Sequence, residues 1–271
     1  MKEERLYTTG EVAKMFAIKK DTLFYYDRIG LFSPVTRKGS TSYRYYSSKQ
    51  LKILDTIISM RDMGVSIDEL KEYIKDISSD SFLDLMDVEV KKLDSIINEY
   101  TIKKKTIQAT AKHIIDAKTK PLNTLQITQE DTRHFFSLPI IHTGKGYNED
   151  WNKTYEKIWE SINSAKIITM GSILSKDAFL NGTFEDLSYV VGYTIFKNSG
   201  SAPKGMYANY YVKGNTQSLL EGYRDFKNKI EKEGLLIVSD IHEEYSVEAL
   251  SEKNENDFIT HLFVKIENAA N

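Results

Sequence analysis

The run Thr22-Leu23-Phe24-Tyr25-Tyr26-Asp27-Arg28-Ile29-Gly30-Leu31 has the make-up of a short helix that stops at a glycine, expected from about Lys19 to Arg28. Just ahead of it, Thr9-Gly10-Glu11-Val12-Ala13-Lys14-Met15-Phe16 opens like a helix of its own. Thr8 or Thr9 supplies the cap, Glu11 sits near the third position of a capping box, and Val12, Ala13 and Phe16 make an apolar stripe. Only Ala17-Ile18 separates the two. Two short helices joined by so tight a turn form a helix-turn-helix unit, whose second helix enters the major groove of DNA.

Beyond Gly30, Leu31-Phe32-Ser33-Pro34 is a stop, and Arg37-Lys38-Gly39-Ser40-Thr41-Ser42 reads as a loop between two short strands, closed by Tyr43-Arg44-Tyr45-Tyr46. This is a wing that carries cations and phenols to the DNA backbone. An arginine forks two donors onto a phosphate, and a tyrosine hydroxyl gives one. The candidate DNA contacts are Lys19, Lys20, Thr22, Tyr25, Tyr26, Arg28, Tyr43, Arg44 and Tyr45. Any single tyrosine here suits the edge of a core equally well. Five of them (Tyr25, Tyr26, Tyr43, Tyr45 and Tyr46) beside four or more cations point to a surface for phosphate. Two further helices follow. Ser47-Ser48-Lys49-Gln50 caps one that runs to about Met60 on the stripe Leu51, Leu54, Ile57 and Ile58, and the capping box Ser66-Ile67-Asp68-Glu69 starts one that runs to about Ile77.

The stretches Thr9 to Lys14, Thr22 to Leu31 and Tyr43 to Tyr46, in this order and spacing, closely resemble the MerR family of bacterial regulators over about residues 7–75. Two positions depart from the family's pattern. Phe24 stands where an arginine facing phosphate is usual, and Lys19 stands where a capping serine is common, so the second helix is expected to start less firmly.

Composition sets the outer limits. At 271 residues the chain is long enough for two domains. There is no cysteine, which removes disulfides, zinc–thiolate sites and thiol nucleophiles. No stretch of about 18 apolar residues exists to span a membrane, and the charged Met1 to Tyr7 segment is unlike a signal peptide, so a cytoplasmic location is expected. The net charge of −2 hides an uneven distribution: +5 over residues 1–62, −1 over 63–120 and −6 over 121–271. A basic head and an acidic tail suit two different tasks.

Residues 82–118 hold neither proline nor glycine. Steps of three and four pick out Leu83, Met86, Val90, Leu93, Ile97, Tyr100, Lys104, Ile107, Ala111 and Ile114, of which nine are apolar. That is a coiled-coil seam with one charged position. The same stripe also suits a helix packed inside its own chain. The MerR resemblance implies an antiparallel pair between two subunits, hence a homodimer reading symmetric DNA.

Pro121 marks the next boundary, after which the pattern repeats. Arg133 to Thr143 reads as a strand, Glu149 to Ser164 as a helix, and Ile167 to Ser175 and Leu187 to Phe196 as strands. Gly205 to Lys213, Thr216 to Glu233, Leu235 to Tyr245 and Asp257 to Ile266 then give strand, helix, strand, strand again. A duplicated βαββ unit leaves a cleft where its halves meet. This arrangement resembles the GyrI-like effector domain, with BmrR-type multidrug-binding regulators nearest, on Ile237-Val238-Ser239-Asp240-Ile241-His242-Glu243 and Asp257-Phe258-Ile259-Thr260. The resemblance implies a buried glutamate, Glu243, facing a hydrophobic cationic small molecule, with Phe258 and Tyr155 as flanking rings and Met170 where that type has a tyrosine. Trp159, Tyr207 and Tyr211 complete the expected ligand contacts. Alternation places Ile237, Ser239, Ile241 and Glu243 on one strand face and Val238, Asp240, His242 and Glu244 on the other. A lipophilic cation supplies such a carboxylate with charge, and aromatic walls add cation–π attraction of roughly 0.5–2 kcal/mol each.

The fold expected is therefore α+β and multidomain: a winged helix-turn-helix over 1–78, a coiled-coil dimerisation helix over 79–119, and a duplicated βαββ ligand-binding domain over 120–271. The expected function is ligand-responsive transcriptional regulation, with promoter double-stranded DNA, a second copy of the chain and bacterial RNA polymerase as partners. No membrane partner, catalytic residue, cofactor or metal is expected, since no histidine pair stands four apart. The alternatives are a hydrolase that uses Glu243 as a base, and a ligand-independent repressor.

Overall fold

The computed structural model describes residues 5–38, 43–144, 147–161, 166–197, 200–249 and 251–268. The expected wing tip at Gly39-Ser40-Thr41-Ser42 lies outside them. The chain divides into two compact units, Met1–Asn98 and Glu99–Asn271.

The first unit begins with β1 (Leu6–Thr8), α1 (Thr9–Met15) and α2 (Lys20–Arg28). There follow β2 (Thr36–Lys38), β3 (Tyr43–Ser47), α3 (Ser48–Asp62), α4 (Ile67–Lys75) and the start of α5 (Ser79–Thr119). Three helices start on reciprocal capping boxes: Thr8 with Glu11, Ser47 with Gln50, and Ser66 with Glu69. The start of α2 has no side-chain cap, as expected for Lys19. Gly30 ends that helix with φ at +75°, a left-handed conformation that glycine takes without a Cβ penalty. The strands pair in the order β1-β3-β2, and a core of Val12, Leu23, Leu54, Val65 and Leu70 lies beneath. Tyr46 stacks on Phe32 within it, ring centroids 5.2 Å apart.

Helix α5 runs for 41 residues, about 60 Å at 1.5 Å per residue. Near its ends the apolar stripe is covered by its own chain: Met86 packs on the core of the first unit, and Ile114 on the sheet of the second. Between them Val90, Leu93, Ile97, Tyr100 and Ile107 are 49–69% exposed. Packing inside its own chain therefore holds at the two ends of the helix, and the middle of the stripe is exposed.

Among the described residues the second unit is built on a nine-stranded antiparallel sheet. It comprises β4 (Gln126–Glu130), β5 (Arg133–Pro139), α6 (Tyr147–Ser161), β6 (Thr169–Leu174), α7 (Lys176–Asn181), β7 (Leu187–Thr194) and β8 (Gly200–Ala202). Then come β9 (Gly205–Lys213), α8 (Thr216–Lys232), β10 (Leu235–Ile237), β11 (Ile241–Val247) and β12 (Ile259–Asn268). The order β4-β9-β12-β11-β6-β7-β5-β8, with β10 on β12, makes the duplication visible. The units β5-α6-β6-β7 and β9-α8-β11-β12 meet where β11 pairs with β6. The single strand expected over 235–245 is two strands broken at 238–240. There the Ser239 hydroxyl takes the Lys265 amide at 3.0 Å in place of a ladder bond. Helix α8 buries Tyr223, Phe226 and Ile230 against Tyr210, Val212, Ile241, Leu262 and Val264, while α6 buries Ile158 against Met170 and Val190. On the opposite face lie Phe135, Ile173, Val191, Tyr193, Tyr207 and Phe263, with Ala117 of α5 against Tyr211, Val247 and Ile259.

The seam between the halves leaves no room for a side chain at Gly171. A Cβ there would stand 2.0 Å from the Glu243 carbonyl oxygen and 2.9 Å from the Tyr193 ring. Gly171→Ala is expected to cost about 1–3 kcal/mol by overpacking. Thermal unfolding checks this, and an unchanged midpoint contradicts so tight a β6–β11 approach.

Candidate functional site

On the first unit, Lys19 and Lys20 stand exposed at the start of α2, with Thr22 half-buried beside them. Tyr25 and Arg28 are exposed together, the guanidinium 5.6 Å from the ring centroid. Tyr43 is exposed on β3, and Tyr45 is half-buried beneath the Lys38 ammonium at 5.7 Å. Tyr26 is placed otherwise. At 7% exposure it belongs to the core with Leu23, as Tyr46 does, so α2 turns Tyr25 outward and Tyr26 inward.

The wing strands are held to α2 by one carboxylate. Asp27, its side chain 5% exposed, takes Arg37 Nη2 on both oxygens at 2.8 and 2.9 Å and Arg44 Nε at 2.7 Å. Burial alone would raise this carboxyl, but the hydrogen bonds from Arg44 and Arg37 outweigh it and hold it below its usual range. Arg44 lies 4.8 Å over the Phe24 ring, so the residue that replaces the family's arginine supports a cation from the wing. Asp27→Ala leaves both arginines unpaired and is expected to destabilise the head by about 1–3 kcal/mol. Amide hydrogen exchange in β2 and β3 should rise at the same time, and unaltered protection there would refute the clamp.

On the second unit, two consecutive residues of β11 build two environments. Glu243 is 4% exposed on the helix-covered face. Its Oε2 accepts from Ser172 Oγ at 2.8 Å and Tyr223 Oη at 3.1 Å, and Ser172 also meets Tyr245 Oη at 3.1 Å. Burial pushes the Glu243 carboxyl up to about 7, against the pull of those two hydrogen bonds. Trp151 stacks on Tyr155 with centroids 4.8 Å apart, and Trp151 lies 6.5 Å from the Tyr245 ring. A cavity of about 130 Å³ opens beside them, lined by Tyr155, Met170, Tyr245, Thr110 and Ile114.

Glu244 faces the other way, also 4% exposed. Its Oε2 takes Arg133 Nη1 at 2.9 Å and His261 Nδ1 at 3.1 Å, with His113 Nε2 3.8 Å from Oε1. Burial alone would raise this carboxyl, but His113, Arg133 and His261 outweigh it and hold it well below the carboxylate range. His261 Nε2 meets Asn209 Oδ1 at 2.8 Å, and the Tyr207 carbonyl fixes that amide's orientation by accepting from Nδ2 at 3.2 Å. Burial draws the His261 ring down to about 4 against the pull of the Glu244 carboxylate, so the imidazole is neutral near pH 7.

Of the expected ligand contacts, Tyr155, Met170 and Glu243 share a face. Tyr207 and Tyr211 lie on the opposite face, with Glu244. Phe258 is half-buried just before β12, its carbonyl accepting from the Gly214 amide. The Trp159 side chain is outside the described residues. Sequence reasoning missed Ser172, Tyr223 and Tyr245. Tyr245 was within reach, because two residues along a strand is the same face. Among the described residues, no group of three or more His, Cys, Asp or Glu is placed to hold a metal, and no helix is long and apolar enough to cross a membrane.

Comparison with known proteins bears on both units. Residues 7–77 match the MerR HTH family regulatory protein model. The multidrug-efflux transporter 2 regulator of Bacillus subtilis is 29% identical over 91% of this chain and 91% of its own length. The transporter 1 regulator of the same organism is 24% identical over 97% and 99%. The cryo-EM structure of an EcmrR–DNA complex covers 97% of this chain and 100% of its own at 17% identity, with a TM-score of 0.39, too loose a likeness to bear on function. The capped helices, the glycine stop and the paired wing strands over residues 7–77 are those of a MerR-family helix-turn-helix domain, on a chain related along nine-tenths of its length to a regulator of multidrug efflux.

Proposed function

We propose that this chain is a dimeric, ligand-responsive transcriptional regulator whose effector is a lipophilic, aromatic cation received beside Glu243. The observation that carries this is a contrast within one strand. Glu244 is met by three basic side chains, whereas Glu243, equally buried, meets only hydroxyls among the described residues. A buried carboxylate without a cation is poised to take one from outside. The stacked Trp151 and Tyr155 offer flat walls without directional bonds, and Met170 adapts to shape. The relatives' names, regulators of multidrug-efflux transporters, agree with such a ligand. The cavity of about 130 Å³ is smaller than a drug-sized pocket of about 300 Å³ or more. The ligand therefore selects a more open state, and the regulator responds by population shift. On DNA the reading is promoter activation by distortion of the duplex, with RNA polymerase engaging the result.

Dimerisation through α5 has an electrostatic argument as well as an apolar one. Residues 79–98 carry five acidic and two basic side chains, and residues 99–119 carry two acidic and five basic, so the halves are −3 and +3. Antiparallel pairing sets each half against its opposite, and parallel pairing sets like against like. Exchanging Lys103, Lys104 and Lys105 for glutamate makes the second half −3. Sedimentation equilibrium is expected to show a shift toward monomer, and a dimer of undiminished affinity rules out this pairing.

Ligand binding is followed by quenching of tryptophan fluorescence with a lipophilic aromatic cation. Glu243→Gln should weaken binding by about 1–3 kcal/mol. The cation binds the ionised carboxylate, and the groups facing Glu243 are the hydroxyls of Ser172, Tyr223 and, through Ser172, Tyr245. With the carboxyl at about 7, affinity in the wild type should rise about tenfold from pH 6 to 8 and stay flat in the variant. Without ligand the sign for stability is opposite: the folded state holds the proton more tightly, so stability falls as pH rises from about 4.5 to 7. Equal affinity of wild type and variant at all pH values would remove Glu243 from the site.

A further inference from the structure

On the far face of the same sheet, beneath the last turns of α5, lies a second cavity of about 210 Å³ that the cation reading does not use. Its floor is Glu244, His261 and Asn209, each 4% exposed or less. Apart from Ala117 and the ring of Tyr211, every side chain that lines it is polar. Its cations are Arg133 and Lys120, its carboxylates Glu244, Glu130 and Asp116, and its imidazoles His113 and His261. Glu244 and Glu130 are already paired to Arg133. At the rim, Asp116 and Lys120 have neither an ion pair nor a side-chain hydrogen bond among the described residues. Tyr211 is the third group left over. It is 7% exposed and stacked flat on His261 at 4.2 Å, and its hydroxyl has no hydrogen-bond partner among the described residues. Burial pushes that phenol up, so it keeps its proton and remains a donor.

These features select a ligand class. A lining so polar gives a lipophilic molecule nothing. A net anion would leave Asp116 without a counter-charge, and a net cation would leave Lys120 without one. A neutral polyol would leave the carboxylate of Asp116 and the ammonium of Lys120 without counter-charges. A molecule that carries both charges satisfies both, and its carboxylate can also accept from Tyr211. The space suits such a molecule too, being room for about seven waters at 30 Å³ each or for one compound of amino-acid size.

We propose that this cavity is a second effector site, which binds a small hydrophilic zwitterion of the amino-acid or betaine class between Asp116 and Lys120, with Tyr211 as a hydrogen-bond donor. Its ligand is then chemically opposite to the one taken beside Glu243, and it lies on the other side of the same strand. It would brace the end of α5, which supplies Asp116 and Ala117 to the roof.

The test is calorimetric titration of the full chain with the standard L-amino acids and glycine betaine, one at a time, and with citrate, spermidine and glucose for comparison. Saturable binding of at least one zwitterion is expected. Asp116→Asn and Lys120→Gln, both on exposed positions that leave the fold intact, should each weaken it about fivefold, the size of one exposed ion pair. Tyr211→Phe keeps the stack on His261 and should weaken it as well. Binding of citrate, spermidine or glucose in preference to every zwitterion overturns the proposal. So does binding that none of the three variants alters, or no binding at all, which would make the cavity a pocket for water. The cation titration at Glu243 is scored separately, so failure of one site leaves the other standing.

Discussion

Successive side chains of a strand point to opposite faces, and β11 carries two glutamates in succession where both faces are buried. Neither carboxyl can go without compensation, because an isolated charge in an apolar interior costs far more than a fold can spare. The two solutions differ, and the second unit is arranged around the difference. Glu244 stays ionised by gathering Arg133 from β5, His261 from β12 and His113 from α5. Glu243 approaches neutrality instead, holding two hydroxyls, one from β6 and one from α8. Ser172 stands directly opposite Glu243, and its neighbour Gly171, opposite Glu244, has no Cβ to press on the Glu243 carbonyl.

How far this was legible follows from the range of each signal. The head is written in local chemistry. Reciprocal caps three residues apart and a glycine with positive φ declare helix ends without reference to anything distant, so α1 to α4 were readable to within a few residues. Parity around the helix was harder. Tyr25 and Tyr26 are adjacent and alike, and only the packing against Leu23 decides which one is core. In the tail, the duplication showed in the alternation of strand and helix patterns. The short strands β4 and β8, of five and three residues, exist because a neighbour offers a ladder, and they carry no period of their own.

Misplacing Tyr207 and Tyr211 has the same origin at longer range. Alternation shows that Tyr207 and Tyr211 share a face of β9, but not which face that is. It is settled by two registers in series, Glu243 opposite Leu262 and Leu262 opposite Tyr210, so that Tyr210 falls on the Glu243 side and its odd-numbered neighbours on the other. A slip of one residue in either pairing would reverse the assignment. The burial of Glu243, by contrast, needed only its own strand, where Ile241 marks the core face.

Helix α5 is the element common to both environments. Thr110 and Ile114 border the cavity on the Glu243 side, Asp116 and Ala117 border the one on the Glu244 side, and His113 borders both. A ligand that enlarges the first cavity must displace side chains of α5 or of the aromatic cluster, because the space present is too small. A ligand in the second braces the same turns in place. Coupling between sites requires an element that both can bias, and the last turns of α5 meet that requirement by contact. The bare middle of the same helix is where a second copy is proposed to pair, and the helix runs without a break from those turns to that stretch.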